Sequence, residues 1–390
     1  MAEHYNVVVI GGGIHGAGVA QAAACAGYSV LLVEKTRLAA GSSSRSSKLI
    51  HGGLRYLEGL DFSLVHESLS ERALLLRLAP DLVRLQPFHI PVYSQTSRRP
   101  LTIRAGLSLY AILGRLHPDS RFRKLRRREW DMLDGIETRN LQAVYRYYDA
   151  QTDDIELTRA VMQSAIELGA ELRCPAEFLE ADISETGCRL HYRDASSEHS
   201  CTADTVVNAA GPWAHLVDRH ITPAPDPVPV ELVQGTHLVV EGAVDHGCYY
   251  LEVPSDRRAV FLLPWGEHAL LGTTETPYTG DPDNVAPLPE EETYLLDVLK
   301  HYFPRRPQRV VERFAGLRVL PVAEGAAFGR SRETRLTVDN PTQPRRVSIY
   351  GGKLTGYRAT AEKVMAMLRQ TLPVRPALAD TATLRIGPDQ

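Results

Sequence analysis

The chain opens on an unbroken apolar run, Val7-Val8-Val9-Ile10, the pattern of a strand buried on both faces. A glycine-dense stretch, Gly11 to Gly18, follows at once. Ala17 to Ala26 is rich in alanine and predicts a tightly packed helix, ended by Gly27. Ser29 to Val33 reads as a second buried strand with Glu34 at its C-terminal end. Further on, Asp154–Glu167 has helical character and leads through Gly169 into another strand. Thr236–Val240 and Val260–Leu263 read as strands of a second sheet, entered through an extended linker at Pro225, Pro227 and Pro229. A last helix is predicted from near Leu354 through Leu368.

The first of these units is strand, glycine loop, helix, strand and acid, the arrangement of a dinucleotide site. Gly11 allows the tight turn, Gly13 lets backbone approach a pyrophosphate, and Gly16 lets the helix pack close to the strand. The helix start, with Ile14 and His15, offers N–H groups and a positive dipole end to the anion. His15 is expected to meet the cofactor through its backbone. Glu34, followed by Lys35, can accept hydrogen bonds from ribose hydroxyls. This unit alone leaves FAD and NAD both open.

Composition narrows the setting. With 390 residues, 44% hydrophobic and 23% charged, the chain reads as a globular protein of two domains or three lobes. A net charge of -3 gives it no overall attraction to polyanions, and no nucleic-acid motif is present. Five scattered cysteines without ligand spacing fit a reducing compartment and speak against a structural metal. The N-terminus has no signal-peptide pattern, and no stretch reaches the ~18 apolar residues of a membrane span. The expected location is cytoplasmic, or peripheral on the inner face of the cell membrane.

The stretch Ser42-Ser43-Ser44-Arg45-Ser46-Ser47-Lys48-Leu49-Ile50-His51-Gly52-Gly53-Leu54-Arg55-Tyr56-Leu57-Glu58 is the most distinctive in the chain. From Ser46 to Glu58 it closely resembles FAD-dependent, aerobic-type glycerol-3-phosphate dehydrogenases, in which such a segment runs along the flavin. The resemblance continues in order through Val206–Trp213, Gln234–Val240, Pro264-Trp265, Gly272–Glu275, Gly316-Leu317-Arg318 and Gly351–Arg358, covering about residues 5 to 365. It implies an α/β fold: a Rossmann-like FAD domain of the amine-oxidase-like flavoprotein superfamily with an interleaved, mixed or antiparallel-sheet substrate domain. The resemblance settles the cofactor as FAD, because such domains assemble from N- and C-terminal pieces meeting at the flavin. Segments 1–85, 145–220 and 325–370 are assigned to FAD. Segments 86–144, a basic insertion, and 221–324 are assigned to the substrate cap, and 371–390 to a tail. The family's longer members carry a further C-terminal helical domain, which is missing here.

The resemblance places the cofactor against Gly11, Gly13, Ile14, His15, Gly16, Glu34, Lys35, Ser42, Ser43, Ser46, Ser47, Lys48, Leu49, His51, Gly52, Ala210, Gly211, Gly352, Lys353, Leu354 and Thr355. Gly351-Gly352 is expected to approach the isoalloxazine, and the helix beyond Leu354 to aim its N-terminus at it. A flavin accepts hydride at N5, so the protein must bind the anion and remove the hydroxyl proton. Arg318 and Lys353 are the leading candidates for this work, then Arg55 and Tyr56 as substrate contacts. His237 is the general-base candidate, with a core or solvated histidine as the competing reading.

The reaction this implies is oxidation of sn-glycerol 3-phosphate to dihydroxyacetone phosphate, with electrons passed to quinone. Two departures favour an alternative. Gln234 stands where the family usually has lysine, and Glu156 where it often has arginine. If both face the substrate, a less anionic molecule such as a 2-hydroxy acid or amino acid becomes credible. A third reading is a flavin-binding subunit that needs a partner chain. Between Arg98 and Arg128 there are ten Lys/Arg and one acid, Asp119, around the apolar stretch Leu101–Leu113. That pattern suits an anionic membrane surface. Oligomeric state is not legible.

Overall fold

The computed structural model describes residues 3–322 and 334–387; the proposed 324/325 segment boundary lies outside them. Among the described residues, two large sheets organise the molecule. The apolar run becomes the strand Glu3–Ile10 at the centre of the first. It pairs in parallel with Val30–Val33 on one side and with Glu198–Asn208 on the other. Glu171–Arg173 extends the sheet beyond Val30–Val33, and Arg346–Tyr350 pairs in parallel with Glu198–Asn208. Val7–Ile10 and Val30–Val33 are buried along their whole lengths, as their lack of polar alternation predicts.

The first helix runs Ile14–Cys25, beginning earlier than the alanine run because Gly13 is its N-cap. Almost every residue in it is buried, which is why small side chains are needed. It packs against the helices Asp154–Glu167 and Tyr357–Leu368. Asp153 caps the former by accepting from Ile155 N and Glu156 N.

The second sheet is mostly antiparallel; towards one end of it Val230–Glu241 pairs with Val310–Pro321 and His268–Gly272. The predicted short strand at Thr236–Val240 is thus the inner half of a twelve-residue strand. The sheet also includes Val83–Tyr93 and Leu141–Thr152, paired along their whole lengths, and Leu49–Ile50. The segment boundaries at 85/86 and 144/145 therefore fall inside strands. Pro87 and Pro91 disguise the first of these. They stand four residues apart, so both missing N–H groups lie on the same edge.

The basic insertion forms the helix Pro100–Leu113. Leu107, Tyr110 and Ala111 are buried, whereas Leu101 (77%), Ile112 (60%) and Leu116 (62%) are exposed. Tyr110 reaches inward: its hydroxyl accepts from Gly52 N at 2.9 Å and lies 2.8 Å from both Asp149 carboxylate oxygens. Asp149 is also paired with the buried Arg72. Arg98 and Arg123 are held by Glu58, Glu252 and Glu129. Among the described residues, no helix is long and apolar enough to cross a membrane.

Candidate active site

A cleft of about 490 Å3 runs from the first sheet to the second. At one end lie Glu34, Lys35 and Ala176 to Phe178. The glycine loop and Ala209–Trp213 line its middle. His51, Tyr56, Gly235, His237, Arg318 and Gly352–Thr355 line the other end.

The loop geometry requires its glycines. Gly11 has φ +106°, and a Cβ on Gly16 would lie 1.9 Å from Gly11 O. The N-cap Gly13 carries no side-chain cap, and no acid occupies the helix's first turn, so that end is open to an anion. Ser43 Oγ accepts from Ile14 N at 2.9 Å and holds the serine-rich loop against the helix start. Glu34 is 8% exposed and ties the loop to the second strand. One carboxylate oxygen accepts from Gly12 N at 2.7 Å and the other from Thr36 N at 2.8 Å. Lys35 lies 4.6 Å from the Trp213 ring and pairs with Asp283 across the cleft.

The two ends of the chain meet here. Gly352 has φ +104°, and a Cβ on it would stand 2.2 Å from His15 Nε2. So the missing side chain makes room first for the His15 ring, a close approach that the loop motif did not reveal. Burial pushes the His15 imidazole down to about 4. Leu354 and Thr355 form a short turn before the helix Tyr357–Leu368, and Thr355 Oγ1 accepts from His51 N.

Four of the expected contacts do not line the cleft. Gly16 packs on Gly11. Gly52 lies under Tyr110 and Leu69. Lys48 is turned away because its ammonium is paired with the buried Asp154. Arg55 stands behind Tyr56, 5.3 Å from its ring and 3.7 Å from Glu275.

Glu275 is the residue that sequence reasoning missed. Arg318 reaches it at 2.9 Å and donates to Thr273 Oγ1 at 3.0 Å and Thr274 O at 3.2 Å. Gly235 makes this possible, since a Cβ there would meet the Arg318 guanidinium at 2.4 Å. Lys353 Nζ sits 3.9 Å above the Tyr56 ring. Arg318 and Lys353 thus line one end of the cleft, with Arg55 behind Tyr56 and Glu275 fixing the two guanidiniums. The signal for Glu275 was its place in Gly272-Thr273-Thr274-Glu275.

His237 is 2% exposed and stacks on Phe314 with ring centres 5.1 Å apart. Its Nε2 lies 2.9 Å from Ser47 Oγ. Burial, then the nearby Arg318 and Lys48 charges, hold its imidazole well below the ordinary range, so it is neutral at physiological pH.

The departures at Gln234 and Glu156 do not touch this end. Strand alternation sends Gly235 and His237 to the cleft and Gln234 and Thr236 to the opposite face. There Gln234 Nε2 donates to Glu291 at 2.6 Å. Glu156 is on the helix surface, paired with Arg159. Neither removes positive charge from the cleft, so the inference of a less anionic substrate loses its basis. Among the described residues, no three His, Cys, Asp or Glu are grouped to hold a metal.

The open helix N-terminus, the glycine cradle and the junction of N- and C-terminal segments fit a long dinucleotide with a flat ring at its far end. Residues 6–353 match the family of FAD dependent oxidoreductases, and the chain belongs to that family, with FAD as its cofactor. It is 37% identical over 395 residues to a glycerol-3-phosphate dehydrogenase of Pseudomonas tolaasii, covering 99% of this chain and 76% of that one. It is 35% identical to the D-erythritol 1-phosphate dehydrogenase of Brucella abortus over 382 residues, 95% of this chain and 75% of the other. The crystal structure of the glycerol-3-phosphate dehydrogenase from Bacillus halodurans complexed with FAD superposes with a TM-score of 0.73 at 25% identity. The match covers 98% of this chain and 68% of that one.

Proposed function

We propose that this enzyme oxidises sn-glycerol 3-phosphate to dihydroxyacetone phosphate and passes the electrons to quinone. The observation that carries this reading is the meeting of Arg318 and Lys353 at the end of the cleft that His237 also lines, with Arg55 behind Tyr56 and joined to Arg318 through Glu275. In this assignment the nine-stranded sheet serves the cofactor and the ten-stranded sheet the substrate. FAD, when bound, supplies the hydride acceptor at N5.

The remaining work falls to side chains of this chain. Arg318, steadied by Glu275, presents a planar fork to the phosphate, and Arg55 reinforces it. Lys353 binds the same anion and holds positive charge at the reacting end. Tyr56 forms the wall beneath it. Neutral His237 takes the hydroxyl proton as the C–H bond breaks. The Gly11–Gly16 loop, Ser42, Ser43, Ser46, Ser47, Leu49, His51, Ala210, Gly211 and Gly352–Thr355 form the cofactor cradle.

Anaerobic bleaching of the bound flavin tests the substrate. Glycerol 3-phosphate should bleach it at micromolar to low millimolar concentration, and lactate or glycine should not. Bleaching by the hydroxy or amino acid alone would overturn the reading. D-erythritol 1-phosphate belongs in the same assay, since a relative at 35% identity carries that name. We further assign the exposed Leu101, Ile112 and Leu116, with the arginines beside them, to contact with an anionic membrane surface. Co-sedimentation with anionic vesicles at low salt, lost on changing the three to serine, is the expected result.

A further inference from the structure

One buried ion pair has no task in this scheme. Lys48 and Asp154 are paired with side-chain exposures of 4% and 0%. Two charges withdrawn from water carry a heavy desolvation cost, and an apolar pair of similar volume is often as stable. Stability alone therefore gives little reason for the pair.

Its surroundings give a better one. Asp154 accepts from Ser46 N at 3.1 Å and Ser46 Oγ at 2.7 Å. Lys48 Nζ also donates to Ser44 O at 2.6 Å, and Lys48 N to Ser46 Oγ at 3.0 Å. Thr152 N closes the far side by donating to Lys48 O at 2.9 Å. The turn is held so firmly that Lys48 adopts φ +59°, a left-handed conformation unusual for a residue with a side chain. Between the two anchored residues stands Ser47, the hydrogen-bond partner of His237 Nε2 at 2.9 Å. Phe314 covers His237 by stacking and lies 5.5 Å from Lys48 Nζ.

We infer that Lys48 and Asp154 are positioning residues for His237: they fix the Ser47 hydroxyl against Nε2, and with it the tautomer and tilt of the imidazole. The inference rests on the reading of His237 as base. The charges acting on that ring are Lys48, paired with Asp154 of the helix, and Arg318 of the neighbouring strand, paired with Glu275 in the loop before Thr276–Tyr278. Removing the Lys48 ammonium therefore has a defined sign: it raises the imidazole pKa, which Lys48 now depresses.

The test compares Lys48→Met, Lys48→Arg, Ser47→Ala and His237→Asn as flavin-loaded enzymes, with selective 15N-histidine spectra of each that folds. For Lys48→Met, kcat per bound flavin should fall about tenfold or more with KM changed less than threefold. The acid limb of its kcat/KM profile should move to higher pH, and the His237 ring signals should shift. Lys48→Arg should recover part of the loss. Ser47→Ala leaves the ion pair in place and should reproduce the kcat loss, which keeps the test decisive if Lys48→Met does not fold. An inactive His237→Asn beside Lys48→Met and Ser47→Ala with normal kcat and unmoved pH profiles would overturn the inference alone. An active His237→Asn would overturn the base assignment itself.

Discussion

Replacing Tyr110 by phenylalanine removes one oxygen atom from a helix that lies outside the cleft, and it should still loosen the flavin loop. The lost hydroxyl serves the Asp149 carboxylate at 2.8 Å and Gly52 N at 2.9 Å. A hydrogen bond to a charged group contributes about 1.5–3 kcal/mol and a neutral one about 1 kcal/mol. Asp149 Oδ1, already 3.3 Å from Gly52 N, recovers part of the second. The net loss is then about 2–4 kcal/mol. A chain of this length unfolds with an entropy of about 0.8 kcal/mol per kelvin, so Tm should drop by about 3–5 °C. Differential scanning fluorimetry gives the Tm, and flavin fluorescence during the same ramp gives the release temperature. Both should fall together. Ile112→Ser, on the same helix but exposed, should change neither by more than about 1 °C. If Tyr110→Phe matches Ile112→Ser, the buried network contributes nothing. If Tm falls while flavin release stays put, Gly52 does not transmit the change to the cofactor.

Other substitutions probe separate parts of the molecule. Gly16→Ala places a methyl 1.9 Å from Gly11 O; the 450 nm to 280 nm absorbance ratio of purified protein should show a large loss of bound flavin. Arg318→Lys keeps the charge and loses the fork held by Glu275 and Thr273. It should raise KM for glycerol 3-phosphate about 10- to 100-fold with flavin content unchanged, as steady-state kinetics will read. Burial works against ionisation of Glu291, but donors from Thr236, Thr274, Thr276 and Gln234 outweigh it and hold its carboxyl below the ordinary value. Such a group stabilises the fold above its unfolded pKa and loses that contribution as pH falls through the folded one. Glu291→Gln should thus be less stable at pH 7, and the Tm gap to the unsubstituted enzyme should narrow steadily below about pH 4.

The cofactor half was legible because its signals are local. A strand, a glycine loop and a helix stand next to one another in sequence, and the tightest glycine contact, Gly16 on Gly11 O, is made within one turn. Segments matched by resemblance supplied the distant partners, such as Gly352. What escaped was anything set by which face of a strand looks inward. Gln234 and His237 are three residues apart on one strand and face opposite ways, yet sequence alone does not say which side is the cleft. Glu291 was invisible for a related reason. Its partners are Thr236 on one strand and, nearly forty residues on, Thr274 in a loop and Thr276 at the start of the strand that pairs with the first. The strand Val83–Tyr93 was hidden by its own prolines.

The strand Arg346–Tyr350 has a consequence for biosynthesis. It pairs in parallel with Glu198–Asn208 near the centre of the first sheet, and Gly351-Gly352 follows it directly. A ribosome must therefore extend the chain past residue 352 before that strand can pair and Gly352 can meet His15. Until then the nascent protein displays a half-built cradle with exposed sheet edges, the condition in which chaperones bind and strands mispair. Flavin capture is then a late event in the life of the polypeptide, and supplying riboflavin during expression should improve the yield of folded enzyme more than supplying FAD after lysis.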